Sequence, residues 1–399
     1  MSDHQSVDVL IAGAGPAGLH LAWLLAQAGA SVQVVDPLLD LRHSAFSSAA
    51  LPMSAVEDYG LPAQVQAAQW RGWQLFGPDD QRRHWRADHS LGVVLDFGSL
   101  RQWLAERAIG QGARLQLGCS VKHWQPGAEG GALAWLRAPG GDRRQLRCRW
   151  LVDATGQRRA LLGEPSAAAG ALVSGEGVEW LLQVPLPTWE GWSNQLNFML
   201  GSGWVPQGYG WVFPMAPGQL KLGVCRLHDL ARRQPPLHSL LRDLQDRLGL
   251  SDALVLDRHG GLIRSTIRRR EPHQRGCLLG LGDAVSTGNL LGGEGIRHAM
   301  ASSEVLAPLL LEALAGKAEM LRRYAPQLRR RLGWRWSLSG RLARRTWLSL
   351  HGERGDHRLQ RLLQGLEAES SAEDLSALLF QYRFERYGFK AMPYLLGWR

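Results

Sequence analysis

An α/β fold, with a doubly wound domain assembled from separated stretches of chain, is predicted by three observations. Near the start, "VDVLIAGAGPAGLHLAWLLAQAGASVQVVDP" runs apolar strand, glycine turn, apolar helix, strand. At 147–159, "RCRWLVDATGQRR" is an apolar run ending in small residues. At 277–300, "CLLGLGDAVSTGNLLGGEGIRHAM" repeats the order strand, glycine loop, helix. Strand-to-loop units this far apart imply one sheet that draws on most of the chain.

Val7 to Ala12 is apolar and rich in β-branched residues, as a strand buried on both faces requires. Gly13, Gly15 and Gly18 follow as G-x-G-x-x-G, with Pro16 and Ala17 opening the helix. Gly13 allows the tight turn, Gly15 lets a pyrophosphate approach the backbone, and Gly18 lets the helix pack on the strand. Leu21, Leu24, Leu25 and Ala28 form the apolar stripe, and Gly29 ends the helix. Ser31 to Val35 is the second strand. Asp36 at its tip is placed to accept a hydrogen bond from a ribose, and the helix N-terminus to hold the pyrophosphate. This is a Rossmann-like dinucleotide site, and the first loop alone leaves FAD and NAD both open.

In the middle unit, Asp153-Ala154-Thr155-Gly156 lets the chain pass close to a nucleotide. In the late unit, Cys277 to Leu281 is a core strand. Asp283 at its end is placed to bond a ribityl or ribose hydroxyl. Gly282, Gly293 and Gly295 shape the loop, and the helix opening near Ile296 turns its N–H groups toward a flavin ring.

The nucleotide domain therefore takes residues 1–60, 95–160 and 272–330. Residues 61–94 and 165–271 read as a second domain of short antiparallel strands. Within it, "LHSLLRDLQDRLGL" is an amphipathic scaffold helix. Residues 331–399 form a basic, Trp-rich helical region.

Composition bounds the partners. The chain of 399 residues carries 46 Lys and Arg against 36 Asp and Glu, a net charge of +10, and 17 Trp. Arg329, Arg330, Arg331, Arg335, Arg341, Arg344 and Arg345 surround Trp334, Trp336 and Trp347. That pattern suits peripheral contact with an anionic membrane, and the charge suits an acidic electron-carrier protein equally well. No nucleic-acid module is present, so nucleic acid is not an expected partner. Four scattered cysteines without C-x-x-C spacing argue against a disulfide framework or a metal site and fit a reducing, cytoplasmic setting. The first residues lack a basic signal-peptide segment, and no apolar run is long enough to span a bilayer.

"GAGPAG", "DATG" and "GDA…GEGI", in this order and spacing, resemble the flavoprotein group that includes aromatic hydroxylases, lycopene cyclases and geranylgeranyl reductases. "GYGWVFPMAPGQLKLGV" is similar to the Y-x-W-x-F-P segment of geranylgeranyl reductases, and "LLGGEGIRHAM" to their G-E-G-I-x-x-A-M segment. The resemblance covers about residues 6 to 345. It implies an FAD-binding domain, with Arg101 and Val121 joining the cofactor set. There are departures. Ser47 and Ser48 stand where relatives often carry a Cys, Phe97 stands where an Asp-Arg pair is expected, and Leu290-Leu291 replace a Pro.

The resemblance implies reduction of C=C bonds in a geranylgeranyl or related prenyl chain, by hydride transfer from reduced flavin. Tyr209, Trp211 and Phe213 alternate on one strand face and are the expected wall of the apolar substrate slot. Tyr209 is also a candidate proton donor. Glu294 and Arg297 flank the flavin loop as candidates for orienting substrate or flavin, and His298 reads as structural. Electrons would come from NAD(P)H or ferredoxin, since the FAD takes the one dinucleotide fingerprint. A monooxygenase, a lycopene-cyclase-like non-redox enzyme and a non-catalytic lipid-binding flavoprotein are the alternatives.

Overall fold

A computed structural model describes residues 6–43, 47–166, 172–266 and 270–385. Five parallel strands form the centre of an eight-stranded sheet: Leu278–Gly280, Arg143–Asp153, Ser6–Ala12, Val32–Asp36 and Arg114–Leu117, in that order. Gln274–Arg275, Ala132–Arg137 and Ser120–Pro126 complete it with antiparallel pairings. The register decides where the site falls. Ala12 pairs with Asp153 on one side and Val35 on the other, and Asp153 pairs with Gly280. Three strands therefore end level, and their loops leave the sheet together at its carboxyl edge, the usual ligand crevice of such folds.

Helices Pro16–Gln27, Phe97–Gly110 and Ile296–Leu314 bury apolar faces in the same core. Asp96 caps the second of these by accepting from the Ser99 N–H at 2.9 Å. The last carries Pro308 inside it. Ser303 Oγ donates to the Ala17 carbonyl at 2.8 Å, which ties the late helix to the first one.

The second sheet has nine strands. Its order is Leu254–Thr266, Leu172–Gln183, Gln219–Leu227, Gly208–Pro214, Asn194–Leu200, Gln66–Phe76, Gly92–Leu95 and Ala50–Pro52, with Arg82–Arg86 beside Gln66–Phe76. Two sequence expectations need correction. The sheet is not wholly antiparallel, because Asn194–Leu200 runs parallel to Gln66–Phe76. These strands come from different passes of the chain, so no hairpin dictates their direction. A boundary at residue 60 is also too late: Ala50–Pro52 already pairs with Gly92–Leu95 in this sheet. The scaffold helix forms as Leu237–Arg247, with Leu237, Leu241 and Leu244 buried against the sheet.

Beyond residue 323, helix Tyr324–Ser349 is broken at Gly333 (φ 82°, ψ 167°). Its tryptophans do not form one exposed belt. Trp336 is buried, Trp347 donates from Nε1 to the Leu290 and Leu291 carbonyls at 3.2 and 3.1 Å, and only Trp334 is exposed. Helices Glu353–Glu369 and Ala372–Phe380 bury Leu359, Leu363, Leu375 and Phe380 against Trp70, Trp73 and Trp85 of the second sheet.

Candidate functional site

The first glycine loop is built by contact. A Cβ on Gly13 would lie 2.3 Å from the Ala154 carbonyl oxygen, and one on Gly18 would lie 2.1 Å from that of Gly13. Gly15 has nothing within 4 Å of such an atom. Two glycines thus pack the loop and the third faces open space. Helix Pro16–Gln27 has no side-chain cap, so its first N–H groups are left for a ligand. Asp36 anchors the loop from below. Its Oδ2 accepts from the Ala14 N–H at 2.7 Å and its Oδ1 from Leu38 at 2.9 Å, and each oxygen retains a second lone pair. The chain at Gly118 and Cys119, just before Val121, is hydrogen-bonded to Leu38 and Asp36.

Arg101 is buried beside this loop. Nη2 donates to the His43 carbonyl at 2.6 Å, while Nε has no partner among the described residues. Burial pushes the guanidinium below its ordinary pKa, and Asp36 and Asp40 pull it back. Phe97 lies under it at 5.3 Å. A buried donor without a partner among the described residues, near the Asp36 that holds the first loop, fits the anionic part of a dinucleotide.

Asp153 is bonded within its own turn. Oδ1 accepts from the Thr155 N–H and hydroxyl at 3.0 and 2.6 Å, and Oδ2 accepts from Leu161 and Leu162 at 2.9 and 2.8 Å. Four internal donors occupy its two oxygens, so Asp153 organises the loop. Gly156 (φ +67°) opens that turn.

The late loop is held from several directions. Gly282 (φ +61°) leaves only 2.9 Å between a built Cβ and the Ala17 side chain, so the two glycine loops touch there. Arg159 reaches across from the middle loop. Its Nη1 donates to the Ala284 carbonyl and its Nη2 to Ser286 Oγ, both at 2.6 Å. Sequence reasoning missed this residue, although an Arg just after D-A-T-G that must fold inward was a usable signal. Asp283 accepts from the Thr287 hydroxyl at 3.0 Å. Burial pushes its carboxyl above the usual range, opposed by that hydroxyl and by Arg159. Helix Ile296–Leu314 begins at Gly295 without a side-chain cap.

Glu294 and Arg297 are bonded to each other and to the helices beyond the loop, with Glu294 also bordering a small cavity. Arg297 Nη2 donates to Glu294 Oε2 at 2.9 Å and also to the Phe380 carbonyl, and the Tyr382 hydroxyl donates to Glu294 Oε2 at 2.7 Å. Burial alone would raise the Glu294 carboxyl, but the charges of Arg297 and His298 hold it below its ordinary value. His298 is buried in ring contact with Trp336 and Tyr382. The cluster fastens the glycine loop to the helices beyond it.

Two adjoining cavities lie between the loops and the second sheet. The larger, about 250 Å³, is bordered by Pro16, Phe97, Asp283, Gly295, Ile296 and Trp347. The smaller, about 40 Å³, is bordered by Leu196, Phe198, Phe213, Glu294, Leu379 and Phe380. Tyr209, Trp211, Gly293 and Ser47 border both. A Cβ on Gly293 would sit 3.4 Å from the Tyr209 hydroxyl, so glycine loop and aromatic wall meet at a neck. Tyr209 is also 5.0 Å from Trp347, ring to ring.

The wall is set by cross-strand packing. Trp211 pairs with Gly223, and Gly223 with Glu179. Without a side chain on Gly223, the indole lies across it, and Nε1 donates to Glu179 Oε2 at 3.0 Å. Lys221, opposite Phe213, donates to the Ser47 carbonyl at 2.6 Å. Burial raises the Glu179 carboxyl and lowers the Lys221 ammonium, each countered by the other's charge. Neither charge was singled out from sequence. Their position on the same strand face as Trp211, inside apolar strands, was the available signal.

Level strand ends and two uncapped helices facing adjoining cavities are the features of a nucleotide-binding α/β protein. Compared with known proteins, the chain belongs to the FAD binding domain family, whose pattern it matches over residues 6–336. It is 26% identical over 329 residues to digeranylgeranylglycerophospholipid reductase of Haloferax volcanii, covering 78% of this chain and 77% of that one. It is 27% identical over 370 residues to menaquinone reductase of Mycobacterium tuberculosis, covering 86% and 85%. Among solved structures, a geranylgeranyl bacteriochlorophyll reductase-like protein from Thermoplasma acidophilum superposes with a TM-score of 0.79 at 19% identity, over 97% of this chain and 100% of that one. Aklavinone-11 hydroxylase, in complex with FAD and aklavinone, gives 0.64 at 21% identity, over 88% and 69%.

Proposed function

We propose that this chain is an FAD-dependent oxidoreductase that reduces C=C bonds in the chain of an isoprenoid lipid. The observation that carries the reading is the neck, where Tyr209 meets Gly293 and the aromatic wall faces the late glycine loop. The names of the relatives support the same substrate class, since a digeranylgeranyl phospholipid and a menaquinone both carry isoprenoid chains. Gly13, Gly15, Pro16, Ala17, Gly18, Asp36, Arg101, Val121 and Gly156 would hold the adenosine and pyrophosphate side of the FAD. Gly282, Asp283, Gly293, Gly295 and Ile296 would hold the flavin side. Bound FAD supplies hydride chemistry.

This chain's residues then orient and enclose. Tyr209, Trp211 and Phe213 present an apolar face to an alkene and exclude water from it. The Tyr209 hydroxyl stands at the neck beside Gly293. It is the assigned proton donor. NAD(P)H or ferredoxin delivers electrons transiently. No helix among the described residues is long and apolar enough to cross a membrane. Exposed Trp334 and the outward Arg341, Arg344 and Arg345 support peripheral contact with an anionic membrane.

The test is anaerobic. Holoenzyme is reduced with dithionite and mixed with a geranylgeranylated lipid, and flavin reoxidation is followed alongside product mass. Reoxidation with a gain of two mass units per double bond is expected. Turnover only with oxygen would instead make the enzyme a hydroxylase.

A further inference from the structure

We infer that helix Ala372–Phe380 is the end wall of the substrate chamber, and that Phe380 sets how far an isoprenoid chain reaches beyond the neck. The inference rests on the proposed function and adds the element that selects chain length.

The smaller cavity opens from the neck, and its far side is formed by the apolar side chains of Leu196, Phe198, Phe213, Leu379 and Phe380, with Ser47, Ser48 and Glu294 nearer the glycine loop. Leu379 and Phe380 border it. The cavity is small, about 40 Å³, so a side chain on its border changes the space open to a chain. The border is fixed. Phe380 is buried against Trp70 and Trp73, with ring centroids at 5.9 and 6.0 Å. Trp73 Nε1 donates to the Ala372 carbonyl and to Ser376 Oγ, both at 3.1 Å, which pins the helix to the second sheet. On the other side, the Phe380 carbonyl accepts from Arg297, and a Cβ on Gly292 would lie 3.0 Å from Leu379. The wall is thus held by the sheet and by the glycine loop at once. It is a stop and not a yielding lid.

The helix also lies outside residues 6–336, the stretch that matches the FAD-binding family. Cofactor binding and chain-length selection therefore reside in different parts of the sequence. The ring that Phe380→Ala removes is close in size to one isoprene unit, and its loss opens the chamber toward Trp70 and Trp73.

The experiment titrates holoenzyme with geraniol, farnesol and geranylgeraniol and reads the perturbation of flavin absorbance. Phe380→Ala, Phe380→Leu and Phe380→Trp are compared with the parent. For the parent, the gain in affinity per unit should stop at the length that fills the chamber. Phe380→Ala should carry it one unit further and tighten the longer alcohol about tenfold. Phe380→Leu should do so in part, and Phe380→Trp should shift the limit to a shorter chain. Identical length profiles in parent and all variants would overturn the end wall while leaving the proposed function standing. No perturbation by any prenyl alcohol, parent included, would overturn the substrate class and the end wall with it.

Discussion

The two glycine loops end in the same device and are built in opposite ways. Each runs from a strand end into a helix that lacks a side-chain cap. The first is made mostly by its own neighbourhood: Gly18 packs on Gly13 and Asp36 at the next strand tip holds Ala14, with Ala154 coming from afar to close over Gly13. The second is assembled from afar, by Ala17, Arg159, Trp347 and Tyr382. A local loop is written as a motif. An assembled loop is written as scattered single residues that have no meaning until the chain folds.

The sharpest test of this contrast is Gly15→Leu. The built Cβ meets no protein atom, so the fold should survive while FAD affinity drops by about a hundredfold or more. A yellow, normally absorbing variant would remove the nucleotide from this loop. Next comes Arg159→Leu, which strips two hydrogen bonds from the late loop. Urea unfolding should show a loss of roughly 3 kcal/mol, with weaker FAD retention. Asp283→Ala should cost about tenfold in the FAD dissociation constant. An unchanged constant would take away its assigned contact.

The smallest effect is pH-dependent. The folded-state pKa of Glu294 lies below its unfolded value, about 4.3. Its contribution to stability is therefore complete above that value and is lost as pH falls through the folded pKa. Acid unfolding of Glu294→Gln should be shallower than that of the parent in this range. Equal slopes would show that the Arg297 and Tyr382 contacts do not stabilise the charged form.

The same contrast explains what could be read beforehand. The strands at Ser6–Ala12, Val32–Asp36 and Leu278–Gly280, the flanking helices and the aromatic wall were legible because apolar period and glycine spacing are local signals. The parallel pairing of Asn194–Leu200 with Gln66–Phe76 was not, since nothing nearby in sequence sets the direction of that pair. The four internal donors to Asp153 were not legible either, because they converge only once the turn closes. Trp336 and Trp347 looked like a membrane belt because composition does not report which helix face is inward. Glu179 and Lys221 were hidden because two charges on separate strands become a pair only through Gly223.

The fastening of Glu294 by Tyr382 also has a consequence for biogenesis. The first glycine loop has its packing contacts once the strand ending at Asp153 and the residue after it, Ala154, have been made. The flavin side does not, because its loop is held by a residue synthesised almost ninety positions later (a separation of 88). Completion of that loop is therefore a late event on the ribosome's timescale. A nascent chain halted before residue 382 should emerge colourless, with its nucleotide domain already folded.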